Sequence, residues 1–299
     1  MYTRRLLRQI VTPGALAYVA LGFLCGLLWL SLTGHAPALV VPSMSDAPRP
    51  LTAPSSGRVT LQEAIDGVRR FAGQPSLVLE GGLQAEGDVN RRGDLYYLES
   101  VSPTRGEDFF KVDARTAEVI EATFRGRMAP AEDAVDLSLP DAEALARRFA
   151  RAHFWGFDTL TLVDRSTRTA DSGTIYSFKW SQVAKDTGAE LPVSVSLAVM
   201  SRSGEVFWYL GQRDQVRIST RPAVEQARAV EIVRAWLQPR DQRWDLEQPA
   251  SVRLQVVYDD DDQQQLVWSV LLGARQDGPR SSIRLLVDAQ TGALIQGGL

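Results

Sequence analysis

The 299-residue chain has one cysteine, Cys25, and two histidines, His35 and His153. An intramolecular disulfide is excluded, as is a metal site built on several thiolates or on paired imidazoles. With His153 alone beyond the N-terminal region, there is no HExxH pair and no evident nucleophile–base–acid set. GxSxG, the P-loop and the dinucleotide glycine pattern are also missing. A basic excess is lacking too: 33 Lys and Arg stand against 36 Asp and Glu, a net charge of -3. Three of those cations, Arg4, Arg5 and Arg8, crowd the N-terminus, so the remainder is more acidic still and has no electrostatic footprint for nucleic acid. Catalytic, cofactor-binding and metal-ligating residues are thus expected to be none, no cofactor is implied, and the binding residues and oligomeric state are not legible. A hydrolase working through carboxylates alone stays open, because acid pairs leave no spacing signature.

Charge is absent altogether from Val11 to Thr33, and Gly14–Leu32 is almost wholly apolar. As a helix, these 19 residues reach roughly 28 Å, the hydrocarbon thickness of a bilayer. The three arginines precede the run, and the first basic residue beyond it is Arg49. The positive-inside rule then places residues 1–12 in the cytoplasm as a tail, 13–33 across the cell membrane as an uncleaved signal-anchor, and the rest outside. The competing expectation is a signal peptide cleaved near Ala36-Pro37-Ala38, although the run exceeds the roughly 7 to 15 residues of a typical signal core. Residues 34–58 hold Pro37, Pro42, Pro48, Pro50 and Pro54 without apolar periodicity, which reads as an extended linker.

What the remainder does have is a phrase written three times: Val112-Asp113-Ala114-Arg115-Thr116-Ala117-Glu118-Val119-Ile120, then Val199–Phe207, then Val287–Ile295. The steps are 87 and 88 residues, so an internal repeat governs the architecture. Apolar residues flanking a polar turn with Gly at its late position signal a tight β-hairpin. Ala117 replaces that glycine in the first copy and is expected to be mildly strained.

A helix signal precedes each phrase. Thr60-Leu61-Gln62-Glu63 is a capping box followed by an apolar stripe of Leu61, Ala64, Ile65, Val68 and Phe71. Ser138-Leu139-Pro140-Asp141 opens a stripe of Ala142, Leu145, Phe149 and Ala152. Thr220-Arg221-Pro222 opens Ala223, Ala227, Val230, Val233 and Leu237. Between helix and hairpin lie alternating runs such as Tyr176/Phe178/Trp180, Val193–Val199 and Leu266–Leu272, as in strands with one buried face. The expectation is an α+β fold of three tandem units, at 59–126, 137–213 and 216–299, each a helix plus three or four antiparallel strands.

Individual residues invite plainer readings. His153, near a helix C-terminus, fits a dipole-favoured charged cap. Asp259–Asp262 fits a solvated hairpin tip, since four consecutive residues cannot converge on one cation. Asp113 and Asp288 fit turn-setting side chains that bond the backbone two residues on. Trp155, Trp180, Trp208, Trp236, Trp244 and Trp268 fall mostly on core stripes, with Trp208-Tyr209 the pair most in question.

Helix, β-meander and a closing V-D-A-x-T-G-x-V/L-I hairpin resemble the PepSY superfamily, best at Val287–Ile295 and least in the middle copy, where Met200 replaces Asp. Three such modules behind one anchor are similar to the YcdB/YcdC (YpeB-like) repeat proteins. That resemblance, over roughly 59–299, implies a non-enzymatic extracytoplasmic protein that binds and modulates a secreted or envelope peptidase or cell-wall hydrolase. Exposed sheet faces and edges could hold such a partner. An alternative implied by layout alone is an accessory sensor of a membrane histidine kinase, similar to the YycH/YycI regulators.

Overall fold

The computed structural model describes residues 57–84, 94–101, 107–128, 136–170, 173–239, 244–245, 249–259, 262–273 and 282–295, all within one compact unit, Met44–Leu299. The expected tail, anchor and most of the linker, with Cys25 and His35, lie outside the described residues. Among the described residues no helix is long and apolar enough to cross a membrane.

The fold is α+β and mostly sheet. Helix α1 (Leu61–Ala72) precedes β1 (Leu79–Gln84), β2 (Leu95–Ser100), β3 (Phe109–Asp113) and β4 (Val119–Thr123). Helix α2 (Leu139–His153) precedes β5 (Thr161–Ala170), β6 (Gly173–Val183), β7 (Glu190–Met200) and β8 (Glu205–Arg213). Helix α3 (Gln226–Leu237) precedes β9 (Ser251–Tyr258), β10 (Gln264–Gly273), β11 (Ser282–Asp288) and β12 (Leu294–Ile295).

The twelve strands form one sheet in the order β1-β2-β3-β4-β8-β7-β9-β10-β11-β12, with β6 and β5 branching from β7. Among the described residues every pairing is antiparallel except a single parallel bridge between β7 and β9, Glu190 to Gln255. Strand β4 joins β8 through Glu121–Leu210, Ala122–Tyr209 and Thr123–Trp208, and Phe124 N–H extends the join to Phe207 O at 2.7 Å.

Local chemistry accounts for most boundaries. Thr60 and Glu63 close the capping box reciprocally, the Glu63 carboxylate accepting from Thr60 N–H at 2.7 Å and Thr60 Oγ1 from Glu63 N–H at 3.2 Å. Ser138 Oγ caps α2 by accepting from Asp141 N–H at 3.3 Å. The third helix starts four residues after Pro222 instead of beside it. Ala223 and Val224 N–H both donate to Ala289 O at 2.9 Å, and the Trp268 indole donates to Val224 O at 2.7 Å, which holds this stretch on the third hairpin. The buried stripe accordingly becomes Ala229, Val233 and Leu237, and Ala227 is exposed.

The three hairpin phrases close alike. Ala117, Gly204 and Gly292 donate their N–H to the carbonyl four residues back, from Asp113, Met200 and Asp288 at 2.9, 3.0 and 2.9 Å. Their φ values are 58°, 64° and 76°, all left-handed. Asp113 Oδ1 accepts from Arg115 and Thr116 N–H, and Asp288 Oδ1 accepts from Gln290 and Thr291 N–H, which is the turn-setting role.

The helices cover one face of the sheet. One core, containing Val68, Leu98, Phe110, Phe124, Ala146, Phe178, Trp180, Leu197 and Tyr209, is shared by α1, α2 and β1–β8. Phe71 of α1 ties it together, lying 5.7 Å from Phe149 of α2 and 5.0 Å from Tyr209 of β8. A second core beneath α3 contains Val233, Leu237, Trp244, Leu254, Trp268, Val270, Leu285 and Val287. Trp180, Trp244 and Trp268 are core residues as expected, whereas Trp155 is 59% exposed, because the chain turns outward after α2.

The left-handed Ala117 yields a direct test. Ala117→Gly should raise stability by about 1 kcal/mol and Gly204→Ala should lower it by a similar amount, read as opposite shifts of the urea midpoint. Equal midpoints for both variants and the parent chain would show that these turns are unstrained.

Candidate functional site

The sheet face opposite the helices is where chemistry-bearing side chains collect. On β2, β3 and β4 it carries half-buried Tyr97, Phe109 and Lys111, with Glu121 paired to Lys111 at 2.9 Å. The Lys111 ammonium lies 5.7 Å from the Tyr97 ring centre, within cation–π range. A small apolar patch of Ile175, Ala198, Met200 and Phe207 follows on β6–β8, with Trp208 packed against it. The doubtful pair Trp208-Tyr209 therefore splits: Tyr209 is fully buried under the helices and Trp208 lies half-buried on the open side.

Where the sheet forks, four charges interlock on this same face. Glu190 of β7 is 6% exposed and accepts from Lys179 Nζ at 2.9 Å and from Arg253 at 3.4 Å, while Arg253 also reaches Asp164 at 3.1 Å. The quartet is neutral overall and draws on β5, β6, β7 and β9. A buried carboxylate needs such partners, and removing them leaves an uncompensated charge. Both acids are engaged in holding the fork closed.

Two recesses open on the surface. A cleft of about 120 Å³ is lined by Arg115, Asp214, Gln215, Arg217, Tyr258 and Gln264. Gln264 organises it, its amide donating to Gln215 O at 2.7 Å and to Tyr258 Oη at 2.9 Å while its oxygen accepts from Arg217 N–H at 2.7 Å. A larger groove of about 460 Å³ runs over β1 and β2 between Glu80, Gly81, Gly82, Leu83, Gln84, Tyr97 and Glu99. Sequence reading missed both, since their residues are far apart in the chain and carry no local motif. The one available signal was the Gly81-Gly82 pair, an unusual interruption of a strand.

The residues singled out from sequence do not converge. Among the described residues no three His, Cys, Asp or Glu side chains gather as a metal site. Asp259 shapes the β9–β10 turn, its carboxylate accepting from Gln263 N–H at 2.7 Å and from the Gln265 amide at 2.7 Å; Asp260 and Asp261 lie outside the described residues.

His153 departs from expectation. Its ring lies 4.5 Å from Phe71 and 4.3 Å from Phe149. Burial there, with the Arg127 guanidinium as the second cause, pushes its pKa down to about 4. It is a neutral packing residue at pH 7, because losing hydration costs an imidazolium more than the helix C-terminus returns.

No protein-family model matches the chain, and no curated protein matches it. Among solved structures, it is similar to the Bacillus megaterium YpeB C-terminal domain at 16% identity and a TM-score of 0.45, over 80% of this chain and 99% of that one. It is also similar to an uncharacterized protein from Eubacterium rectale ATCC 33656, at 10% identity and a TM-score of 0.43, over 79% and 81% of the two chains.

Two stability tests follow from these contacts. The unfolded chain binds a proton at His153 near pH 6.5 and the folded chain only near 4. The stabilisation from keeping it neutral is thus complete above about pH 6.5 and is lost as pH falls to about 4, by at most about 3 kcal/mol. His153→Phe should flatten the stability–pH slope across that window, measured by urea unfolding at several pH values; an unchanged slope would refute the assignment. At the fork, Glu190→Ala leaves Lys179 without its carboxylate and Arg253 with Asp164 alone, and should cost about 2 kcal/mol. Amide exchange should accelerate in β9 and leave β2–β4 unchanged; uniform acceleration would mean the quartet does not hold the fork locally.

Proposed function

We propose that the chain is a single-pass membrane-anchored extracytoplasmic binding protein whose three PepSY-like modules hold and regulate an envelope or secreted peptidase or cell-wall hydrolase. The observation that carries the binding role is the sheet face opposite α1, α2 and α3, which among the described residues carries only Met128 of the 125–128 turn over the β6–β8 patch and presents Tyr97, Phe109 and Trp208 half-exposed. Aromatic side chains on a rigid, partly polar surface are the usual anchors of protein recognition. The anchor is supported by the charge-free run to Thr33 behind three arginines. The modular reading is supported by the thrice-repeated order of one helix and four strands and by the shared turn geometry. The choice of a hydrolase as partner rests on the hairpin's resemblance to PepSY modules.

Hydrolysis through carboxylates has one observation in its favour, the direct opposition of Glu80 and Glu99 across the β1–β2 ladder. Both are exposed, whereas acid–base catalysis works best where water is excluded. The pair is better suited to recognition than to turnover.

A photo-crosslinking residue placed at Tyr97 or Trp208 of the full chain in its native membrane should trap an envelope hydrolase, and one at Arg148 on α2 should not. Equal trapping at all three positions, or none, would sink the binding role. A reporter phosphatase fused after Leu299 should be active and should stay with carbonate-washed membranes. An active but soluble fusion beginning after Ala38 would replace the anchor with a cleaved leader.

A further inference from the structure

We propose that β1 is the docking edge for an extended, basic segment of a partner protein, taken up as an added antiparallel or parallel strand. The inference rests on the binding role proposed above and names its surface and its chemistry.

Strand β1 terminates the sheet and pairs only with β2 among the described residues. Its backbone orientation is fixed by Val101 N–H, which donates to Val78 O at 3.1 Å in register with the ladder. Antiparallel pairing alternates inward and outward residues, so residues 80, 82 and 84 bond β2, and Leu79, Gly81 and Leu83 direct their N–H and C=O outward. An open row of this kind is a template for another strand unless charges, proline or a bulge guard it. A second edge, β5, is guarded: it carries Arg165 and Arg168 and has a register shift between Leu162 and Asp164. Strand β1 has an unbroken register, two successive glycines and no lysine, arginine or proline.

Gly81 holds φ 146° and lies so close to β2 that a Cβ would collide with the Tyr97 carbonyl oxygen, whereas Gly82, directly opposite Tyr97, has open space where its Cβ would stand and leaves the groove floor bare beside that ring.

Charge selects the occupant. Glu80 and Glu99 face each other in register on the helix-free side, and neither has a cationic partner among the described residues. Like charges directly across a ladder repel. A lysine or arginine from an incoming strand, set beside Glu80, relieves that repulsion. Leu83 on the opposite side of the strand is 38% exposed and offers an aliphatic contact at the alternate position. The expected segment therefore alternates basic and aliphatic residues. A second copy of this chain fits poorly, since edge-to-edge pairing would bring acids against acids.

The test uses the full chain in neutral-lipid nanodiscs and a fluorescent acetylated (Lys-Val)4 amide peptide, followed by anisotropy and amide exchange. The peptide should bind and slow exchange at Leu79, Gly81 and Leu83, whereas (Glu-Val)4 and a peptide N-methylated at alternate amides should not. Leu83→Pro removes an outward N–H that β2 does not use, so it should leave the fold intact while weakening binding about tenfold or more. Glu80→Lys with Glu99→Lys leaves the backbone unaltered, should weaken (Lys-Val)4 by about tenfold and should favour (Glu-Val)4 instead. Unchanged affinity in both variants, or protection confined to other strands, would overturn the proposal. Crosslinking of an envelope partner at Tyr97 that persists in both variants would overturn the β1 edge and leave the binding role standing. Concentration-dependent dimers abolished by Leu83→Pro would make a second copy the occupant and overturn the basic-partner assignment.

Discussion

Strand β7 is the member on which the sheet depends. It bonds β8 and β6 along its length, and at Glu190, which also pairs with Val183 of β6, it bridges β9. Strands β1–β4 reach it through the β4–β8 join, and those from β9 onward through one bridge, a charged quartet and the packing of Ala189 and Leu191 into the core beneath α3. With no disulfide available to the chain, the alternation of Val193, Val195, Leu197 and Val199 inward and Ser194, Ser196 and Ala198 outward has to satisfy both sides at once. Its sequence does so without a polar residue on the helix-covered face.

The two sides of that sheet are different environments. Under the helices, Phe71, Phe149 and Tyr209 exclude water well enough to keep His153 neutral. On the open side the charges survive in pairs, Lys111 with Glu121 and Lys179 with Glu190, because each partner offsets the hydration the other loses. The exception is Glu80 opposite Glu99, two exposed like charges set directly across the ladder. An asymmetric sheet of this kind separates two kinds of substitution: those under the helices are felt by the core, and those on the open side, the Glu190 quartet apart, act at the surface.

Features set by neighbours in the chain were legible from sequence. The capping box at Thr60 and Glu63, the Asp113 and Asp288 turns, the left-handed Ala117 and the alternation in β6, β7 and β10 depend on residues within a few positions. Features set by distant contacts were not. Pro222 advertised a helix start that bonds from Ala289 and Trp268 postpone, and His153 looked like a charged cap until Phe71, 82 positions away in the chain, covered it. The β1 groove was illegible for the same reason: Glu80 and Glu99 become neighbours only once β1 and β2 are in register. Caps and turns are local electrostatics, whereas helix starts, burial and recesses are properties of tertiary packing.

The single bridge between β7 and β9 has a mechanical consequence. A load applied between the N-terminal region and a ligand held near the C-terminus would meet multi-residue ladders everywhere along the sheet except at this one rung. Extension would begin there, releasing α3 and β9–β12 as an intact block while α1, α2 and β1–β8 stayed fused about Phe71. A tether anchored at one end and loaded at the other would thus lengthen by one discrete step, uncovering the contacts of Ala184, Ala189 and Leu191 with the core beneath α3 before either block came apart.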